Sequence, residues 1–221
     1  MLLFPNSRYK CRRVPVATAV VVVCSSLLWL FVSNFSYPHQ LFASYGFVAA
    51  KPRAVSLVSA IFLHQGFIFV LPNMIFLSVL GKQLEDAFGR LLFLGVFVAS
   101  GIAGNALFYA LDRTSTIPCT GSTGAVAGVV AAFWMMFPDN IFDVDVELGW
   151  RHVTTFAAKT FAAVGAWLGW QFVVLGIHEP MPMTYILWSN IGGFGAGIVL
   201  ALLAKPTLET PERNQPYTSE L

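Results

Sequence analysis

The chain has 221 residues, of which 57% are hydrophobic and only 11% charged, with a formal net charge of +2 and a mean hydropathy of +0.70. Soluble domains carry about a quarter charged residues, so this composition excludes an ordinary soluble globule and predicts an integral membrane protein. The small net charge, with no basic stripe, argues against nucleic acid as a partner. The three cysteines match no CxxC spacing, so no metal, disulfide framework or cofactor is expected.

Six apolar segments have about the length that a transmembrane helix needs. They are residues 14–32, 60–80, 91–111, 121–137, 157–177 and 185–204. The sequence therefore predicts an all-α, polytopic fold, a six-helix membrane domain over residues 14–204. Residues 1–13 form a basic segment, and the first span after it is too long for a cleaved signal core and reads as a signal anchor. Residues 205–221, rich in proline and charge, predict a disordered tail.

The distribution of basic residues predicts the orientation of this domain. Six spans place both termini on one side, and ten of the thirteen Lys and Arg residues fall there. Only Lys51, Arg53 and Arg113 fall on the other side. By the positive-inside rule both termini are then cytoplasmic, and a plasma or inner membrane is favoured over an organelle membrane. The acidic residues of 139–147 are interpreted as a solvated cytoplasmic connector.

The fourth span is too short to cross a bilayer. Residues 123–137 cover roughly 22 Å of a hydrocarbon core about 30 Å thick. The segment from Pro118 to Gly124 leads into this span, so non-helical backbone must lie below the outer surface. Such backbone is tolerated only inside protein or beside water, which predicts an outward-opening polar hollow next to Thr123.

The fourth and sixth spans carry matching pairs of small residues. Gly124 and Gly128 lie on one face of the fourth, and Gly193 and Gly197 on one face of the sixth. Both spans run from outside to inside, so they can pack closely in parallel. Asn190 then reaches a depth similar to that of Thr123, and the two side chains are expected to be within reach of each other.

The second span adds His64, Pro72 and Asn73 near the same hollow. Other interpretations stay open for each polar residue. Ser122 or Thr123 could cap the helix that follows. Asn73 and Asn190 could be hydrogen-bonding residues that hold helices together.

Taken together, several motifs resemble those of the rhomboid family of intramembrane serine proteases. The resemblance extends over residues 56–204. The matching motifs are Phe62-Leu63-His64-Gln65-Gly66, Asn73-Met74, Gly81 with Glu85 and Gly89, Ser100-Gly101, Gly121-Ser122-Thr123-Gly124-Ala125, and Asn190 with Gly193 and Gly197. The first extracellular loop lacks the Trp-Arg pair of many relatives, and Trp150-Arg151 lies instead in a cytoplasmic loop.

The resemblance implies which positions would do chemistry. The nucleophile position, serine in the family, holds Thr123, and the base position, histidine in the family, holds Asn190. The implied oxyanion positions are Phe69, Asn73 and Gly121. An asparagine amide does not titrate near neutral pH and cannot accept the proton of an attacking hydroxyl. His64, acting on Ser122 or Thr123, is the alternative base.

The sequence leads to three hypotheses about the function of the protein. The leading hypothesis is an inactive rhomboid-like protein that sits in the lipid bilayer and binds transmembrane segments of client membrane proteins. The alternative is an active intramembrane serine-type endopeptidase with a non-standard catalytic pair. A transporter is disfavoured because the interrupted spans do not occupy corresponding positions in two halves. The sequence makes no prediction of oligomeric state.

Overall fold

A computed structural model describes residues 2–7, 11–148, 151–177 and 184–208. The described residues form a helical bundle with one three-stranded and one two-stranded antiparallel sheet, and their predominantly helical content confirms the predicted all-α class. The helices are α1 Val16–Ser33, α2 Pro38–Tyr45, α3 Ala54–Phe62, α4 Phe67–Phe76, α5 Lys82–Phe88, α6 Arg90–Leu111, α7 Thr123–Met136, α8 Thr160–Ile177 and α9 Thr184–Leu208. The strands are β1 Leu2–Ser7, β2 Phe47–Val48, β3 Pro118–Cys119, β4 Ile141–Leu148 and β5 Arg151–Lys159.

Each of the six predicted apolar segments overlaps an apolar helix of the structure. Four are long and apolar enough to cross a membrane: α1, α6, the stretch Phe67–Phe88, and Tyr185–Ala204 within α9. The stretch Phe67–Phe88 joins α4 to α5 through a π-helical turn at Leu77–Gly81. The two others, in α7 and α8, are shorter apolar helices. The prediction of a short fourth span is confirmed, because α7 has 14 residues.

The second predicted span, residues 60–80, is wrong at its start. The helix begins at Phe67, and α3 is a separate helix that ends at Phe62. Between them Leu63 and Gly66 adopt extended backbone angles. Hydropathy continues through this break because Leu63 is apolar, so a window average does not reveal it.

The fifth predicted span is also wrong at its start. Strand β5 occupies residues 151–159, and α8 begins only at Thr160. Strand β4 lies between β1 and β5 in an antiparallel sheet, so the acidic connector is not simply a solvated loop. Apolar and polar residues alternate along β4, and this pattern favours a strand. At the end of β5, Ala157 and Ala158 are apolar, so a hydropathy average assigns them to the helix that follows.

Several predictions fall on residues that the structure does not describe. Arg8 and Lys10 of the basic segment, Trp150, His178 and residues 209–221 of the predicted tail lie outside the described ranges. Helix α9 continues past the predicted boundary at residue 204 and ends at Leu208.

Helix α7 forms the centre of the bundle. Every residue from Gly124 to Phe133 is buried. A Cβ at Gly193 would collide with the carbonyl oxygen of Gly124, and a Cβ at Gly197 with that of Gly128. The predicted close parallel packing of the fourth and sixth spans is therefore confirmed, and it fixes Thr123 relative to Asn190.

The start of α1 is attached to α5 by one buried carboxylate. Glu85 accepts hydrogen bonds from the N–H groups of Ala17 and Thr18 at 2.9 and 2.7 Å, and from the Thr18 hydroxyl at 2.8 Å. Pro15, at the N-cap of α1, gives no side-chain cap. The carboxylate therefore accepts hydrogen bonds from backbone N–H groups that the first turn of a helix leaves unpaired. Its negative charge also interacts favourably with the positive end of the helix dipole.

Candidate functional site

The Thr123 hydroxyl lies at the first residue of α7, half-buried in the bundle. The helix begins here because Gly121, after β3, turns the chain with a φ of 113° that favours glycine. The Asn73 amide nitrogen on α4 donates to the Thr123 hydroxyl at 3.4 Å. Within the described residues this is the one side-chain hydrogen bond of that hydroxyl.

A small cavity of about 10 Å³ lies beside Thr123. That volume holds about one water molecule. Its walls come from α4, α7, α8 and α9, and they are lined by Phe69, Pro72, Asn73, Thr123, Trp170, Gln171, Val174 and Ile186. The predicted polar hollow is thus much smaller than a substrate, and a peptide could enter only if these helices separated.

The expected hydrogen bond between Asn190 and Thr123 is not found among the described residues. The Asn190 amide instead donates to the Gln171 side-chain oxygen at 3.2 Å. The reason is that α8 brings Gln171 into the cavity wall, where it offers a carbonyl acceptor. The Asn190 side-chain oxygen is buried and has no hydrogen-bond partner in the part of the chain that the structure describes.

His64 contacts Ser122, not Thr123. Its Nε2 lies 3.1 Å from the Ser122 hydroxyl and accepts the Ser122 backbone N–H at 3.2 Å. Its Nδ1 lies 3.2 Å from the Phe62 carbonyl oxygen. An imidazole that accepts at Nε2 and donates at Nδ1 is neutral. Ser122 occupies the N-cap position of α7, but its side chain does not cap the helix.

The environment of the His64–Ser122 pair keeps the imidazole uncharged. His64 is 1% exposed and Ser122 is fully buried. His64 lies in the connection between α3 and α4, outside the apolar spans, and burial lowers its pKa from 6.5 to about 4. The neutral imidazole of His64 has the protonation state that a base requires, but the Ser122 hydroxyl that it contacts is enclosed by protein.

The three positions that the resemblance implied for the oxyanion offer one suitable side-chain donor. The Asn73 amide faces Thr123. The Gly121 N–H donates to the Ala60 carbonyl oxygen at 2.9 Å and is therefore occupied. Phe69 contributes an apolar wall to the cavity. Within the described part of the chain, no three His, Cys, Asp or Glu side chains converge on a metal position.

Gln171 is the site residue that sequence reasoning missed. It is the one amide in the otherwise apolar segment Thr160–Ile177. A polar side chain within a membrane helix usually faces the protein interior and has a role there. That signal was available in the sequence and would have placed Gln171 beside Asn73 and Asn190.

Comparison with known proteins gives a family match. The Rhomboid domain family model matches residues 51–206, which is more than half of the chain. This range includes Thr123, Asn190, Asn73, Phe69 and Gly121.

Curated relatives agree with that match. RHOMBOID-like protein 5 of Arabidopsis thaliana is 34% identical over 76 residues, 34% of this chain and 25% of the relative. RHOMBOID-like protein 1 of the same organism is 26% identical over 196 residues, 70% of this chain and 50% of the relative. Rhomboid protein 1, mitochondrial, of Saccharomyces cerevisiae is 30% identical over 142 residues, 61% of this chain and 41% of the relative. The chain therefore spans between a quarter and a half of the length of these relatives.

Proposed function

Because this chain belongs to the rhomboid family, we propose that it is a catalytically inactive member that binds transmembrane segments of client membrane proteins without cutting them. The observation that carries this proposal is the surroundings of Thr123. Its hydroxyl contacts the amide of Asn73, while the amide of Asn190 is bonded to Gln171. Neither partner is a base.

The missing base has a large energetic consequence. A hydroxyl attacks a peptide carbonyl only when a neighbouring group removes its proton. Loss of the base in a serine protease costs on the order of 10⁶ in rate, about 8 kcal/mol of barrier. Phe69 cannot donate a hydrogen bond to an oxyanion, so the site also loses transition-state stabilisation. Asn73 alone cannot offset these losses.

The position of the cavity supports lateral binding of a helix. Phe69 and Asn73 on α4 face Trp170 and Gln171 on α8 across it. A client segment that enters between α4 and α8 would reach a cavity lined by the Gln171 amide and the Thr123 hydroxyl. Unpaired polar groups of a locally unwound client would find hydrogen-bond partners in these amides.

The proposal includes a membrane arrangement. The protein is multi-pass, with both termini in the cytoplasm, in a plasma or inner membrane. The unequal distribution of basic residues between the two sides supports this orientation.

An active serine-type endopeptidase is the second candidate. The observation that favours it is the 3.1 Å contact between His64 Nε2 and the Ser122 hydroxyl. Burial of both side chains argues against it, because a scissile carbonyl cannot reach the Ser122 oxygen unless the residues that enclose it move.

Co-expression with a single-span substrate tests the leading proposal. We expect no release of the substrate ectodomain by the wild-type chain. The triple variant Thr123→Ser, Asn190→His, Phe69→His restores a nucleophile, a base and an oxyanion donor, and should release the ectodomain. The measurement is the amount of ectodomain in the medium, and the control is the variant Thr123→Ala, Asn190→His, Phe69→His, which lacks only the nucleophile.

A phosphonate probe separates the two candidates. Labelling of the wild-type chain that disappears in Ser122→Ala would establish the second candidate and refute inactivity. Ectodomain release that Thr123→Ala abolishes in an otherwise wild-type chain would refute inactivity as well.

Photo-crosslinking tests binding separately from cutting. Leu71 on α4 and Phe172 on α8 are exposed next to the cavity residues, whereas Val20 on α1 is exposed elsewhere. A crosslinker at the first two positions should capture the client, and one at Val20 should not. Equal capture at all three positions would contradict entry between α4 and α8.

A further inference from the structure

A second, larger groove lies away from Thr123, where α1 and α6 begin. Its volume is about 720 Å³, and Arg13, Val14, Arg90, Leu91 and Leu92 contribute to its walls. Both helices are candidate membrane spans that start at this end, at Val16 and Arg90. The groove therefore lies at the level where the polar and apolar layers of a bilayer meet.

Two guanidinium groups line this groove around Gly89. Arg90 follows Gly89 directly, and its side chain is 62% exposed. The Arg13 Nη1 atom lies 3.9 Å from the position that a Cβ on Gly89 would take. The Asp86 carboxylate accepts the backbone N–H of Arg13 at 2.8 Å and so fixes this segment beside α5. Paired guanidinium groups suit the oxygens of a phosphate group.

One carboxylate also lines the groove. Glu85 is 2% exposed and accepts three hydrogen bonds from Ala17 and Thr18. The Arg90 Nε lies 3.9 Å from it. Because Glu85 is directed at α1 and balances at most one of the two guanidinium charges, the lining keeps a positive charge.

The remaining walls expose apolar side chains. Leu91 is 87% exposed and Val14 is 73% exposed, with Leu92 beside them. A free anion gains nothing from these contacts, whereas a lipid has acyl chains that cover them. Basic pockets between membrane helices are a known type of site for anionic lipid headgroups.

We propose that this groove binds an anionic phospholipid, with Arg13 and Arg90 on its phosphate and with Val14, Leu91 and Leu92 against its acyl chains. The site is separate from Thr123 and does not depend on whether the protein cuts clients.

Native mass spectrometry of the full chain in detergent tests the proposal. Phosphatidylglycerol should bind at least about tenfold more tightly than phosphatidylcholine, and inorganic phosphate should not displace it at equal concentration. Each arginine near the surface contributes about 1 kcal/mol, so Arg13→Gln with Arg90→Gln should weaken phosphatidylglycerol about thirtyfold.

The matched control removes two basic residues elsewhere. Arg53→Gln with Arg113→Gln changes the net charge equally, at exposed positions outside the groove, and should leave the affinity unchanged. Equal loss in both double variants would overturn the proposal. Equal binding of the two lipids by the wild-type chain, or displacement by inorganic phosphate, would also overturn it. These wild-type comparisons can overturn the proposal even if the arginine variant fails to fold.

Discussion

At the scale of single residues, the site is defined by amides, one of which, Asn190, stands at the position for which the family resemblance implies a histidine base. Asn73, Gln171 and Asn190 surround or approach the cavity next to Thr123. The sequence alone predicted two of these three. It also placed His64 near the hollow, but it could not show that the imidazole turns toward Ser122, because that depends on the break between α3 and α4.

His64 gives a pH-dependent prediction. Its pKa is lowered by burial from 6.5 to about 4, so the unfolded chain binds the proton more readily than the folded chain. Stability should therefore fall as the pH decreases from 6.5 toward 4, by up to about 3 kcal/mol, and stay level above 6.5. Unfolding of the purified protein in detergent, measured across this range, checks the slope.

Two variants identify the residue responsible. His64→Gln keeps a polar side chain but does not titrate, so it should flatten the slope. His39→Gln removes an exposed histidine on α2 and should keep it. A wild-type slope in His64→Gln would show that other groups cause the pH dependence.

At the scale of secondary-structure elements, the contact between α7 and α9 determines the site. The sequence predicted this contact because two glycines spaced four residues apart on each of two membrane helices let the helix backbones approach closely. The starts of α4 and α8 were not predictable in the same way. One depends on extended backbone at Leu63 and Gly66, and the other on pairing of β5 with β4.

Substitution of one glycine on each side of α9 tests this contact. Gly193→Ala puts a Cβ against the carbonyl of Gly124 and should destabilise the protein by about 2 kcal/mol or more. Gly195→Ala adds the same methyl group where, among the described residues, no atom beyond the adjacent residues and the nearby backbone of α9 lies within 4 Å. It should be neutral or stabilising by up to about 1 kcal/mol, because alanine is the better helix former.

Unfolding in mixed detergent micelles measures both variants. Equal destabilisation would mean that the cost comes from the helix backbone and not from the contact with α7.

At the scale of the whole molecule, the orientation was predicted from the distribution of basic residues, and the fold was predicted from the apolar segments. Composition and hydropathy were sufficient to predict the bundle because six separate segments carry the signal. The sheet of β1, β4 and β5 was not predicted. Strand β1 lies far from β4 in the chain and pairs with it only in the folded protein, and the apolar end of the adjacent strand β5 was assigned to the fifth span.

Cysteine labelling tests the orientation. Thr116 lies in the connection before α7 and Asp139 in the connection after it, and both are exposed. With Cys11 and Cys24 replaced by alanine, a membrane-impermeant maleimide on intact cells should label Thr116→Cys and spare Asp139→Cys. Permeabilised cells should give both signals. The reverse pattern on intact cells would place the termini outside.

The pairing of β1 with β4 imposes an order on biosynthesis. Leu2 is opposite Glu147 and Ser7 is opposite Phe142, so the first strand meets its partner only after four of the apolar helices have been made. At ordinary ribosomal speed that delay is roughly ten to thirty seconds. During this interval the backbone groups of β1 lack their partners on β4, and pairing then joins a segment made before the apolar helices to one made after four of them.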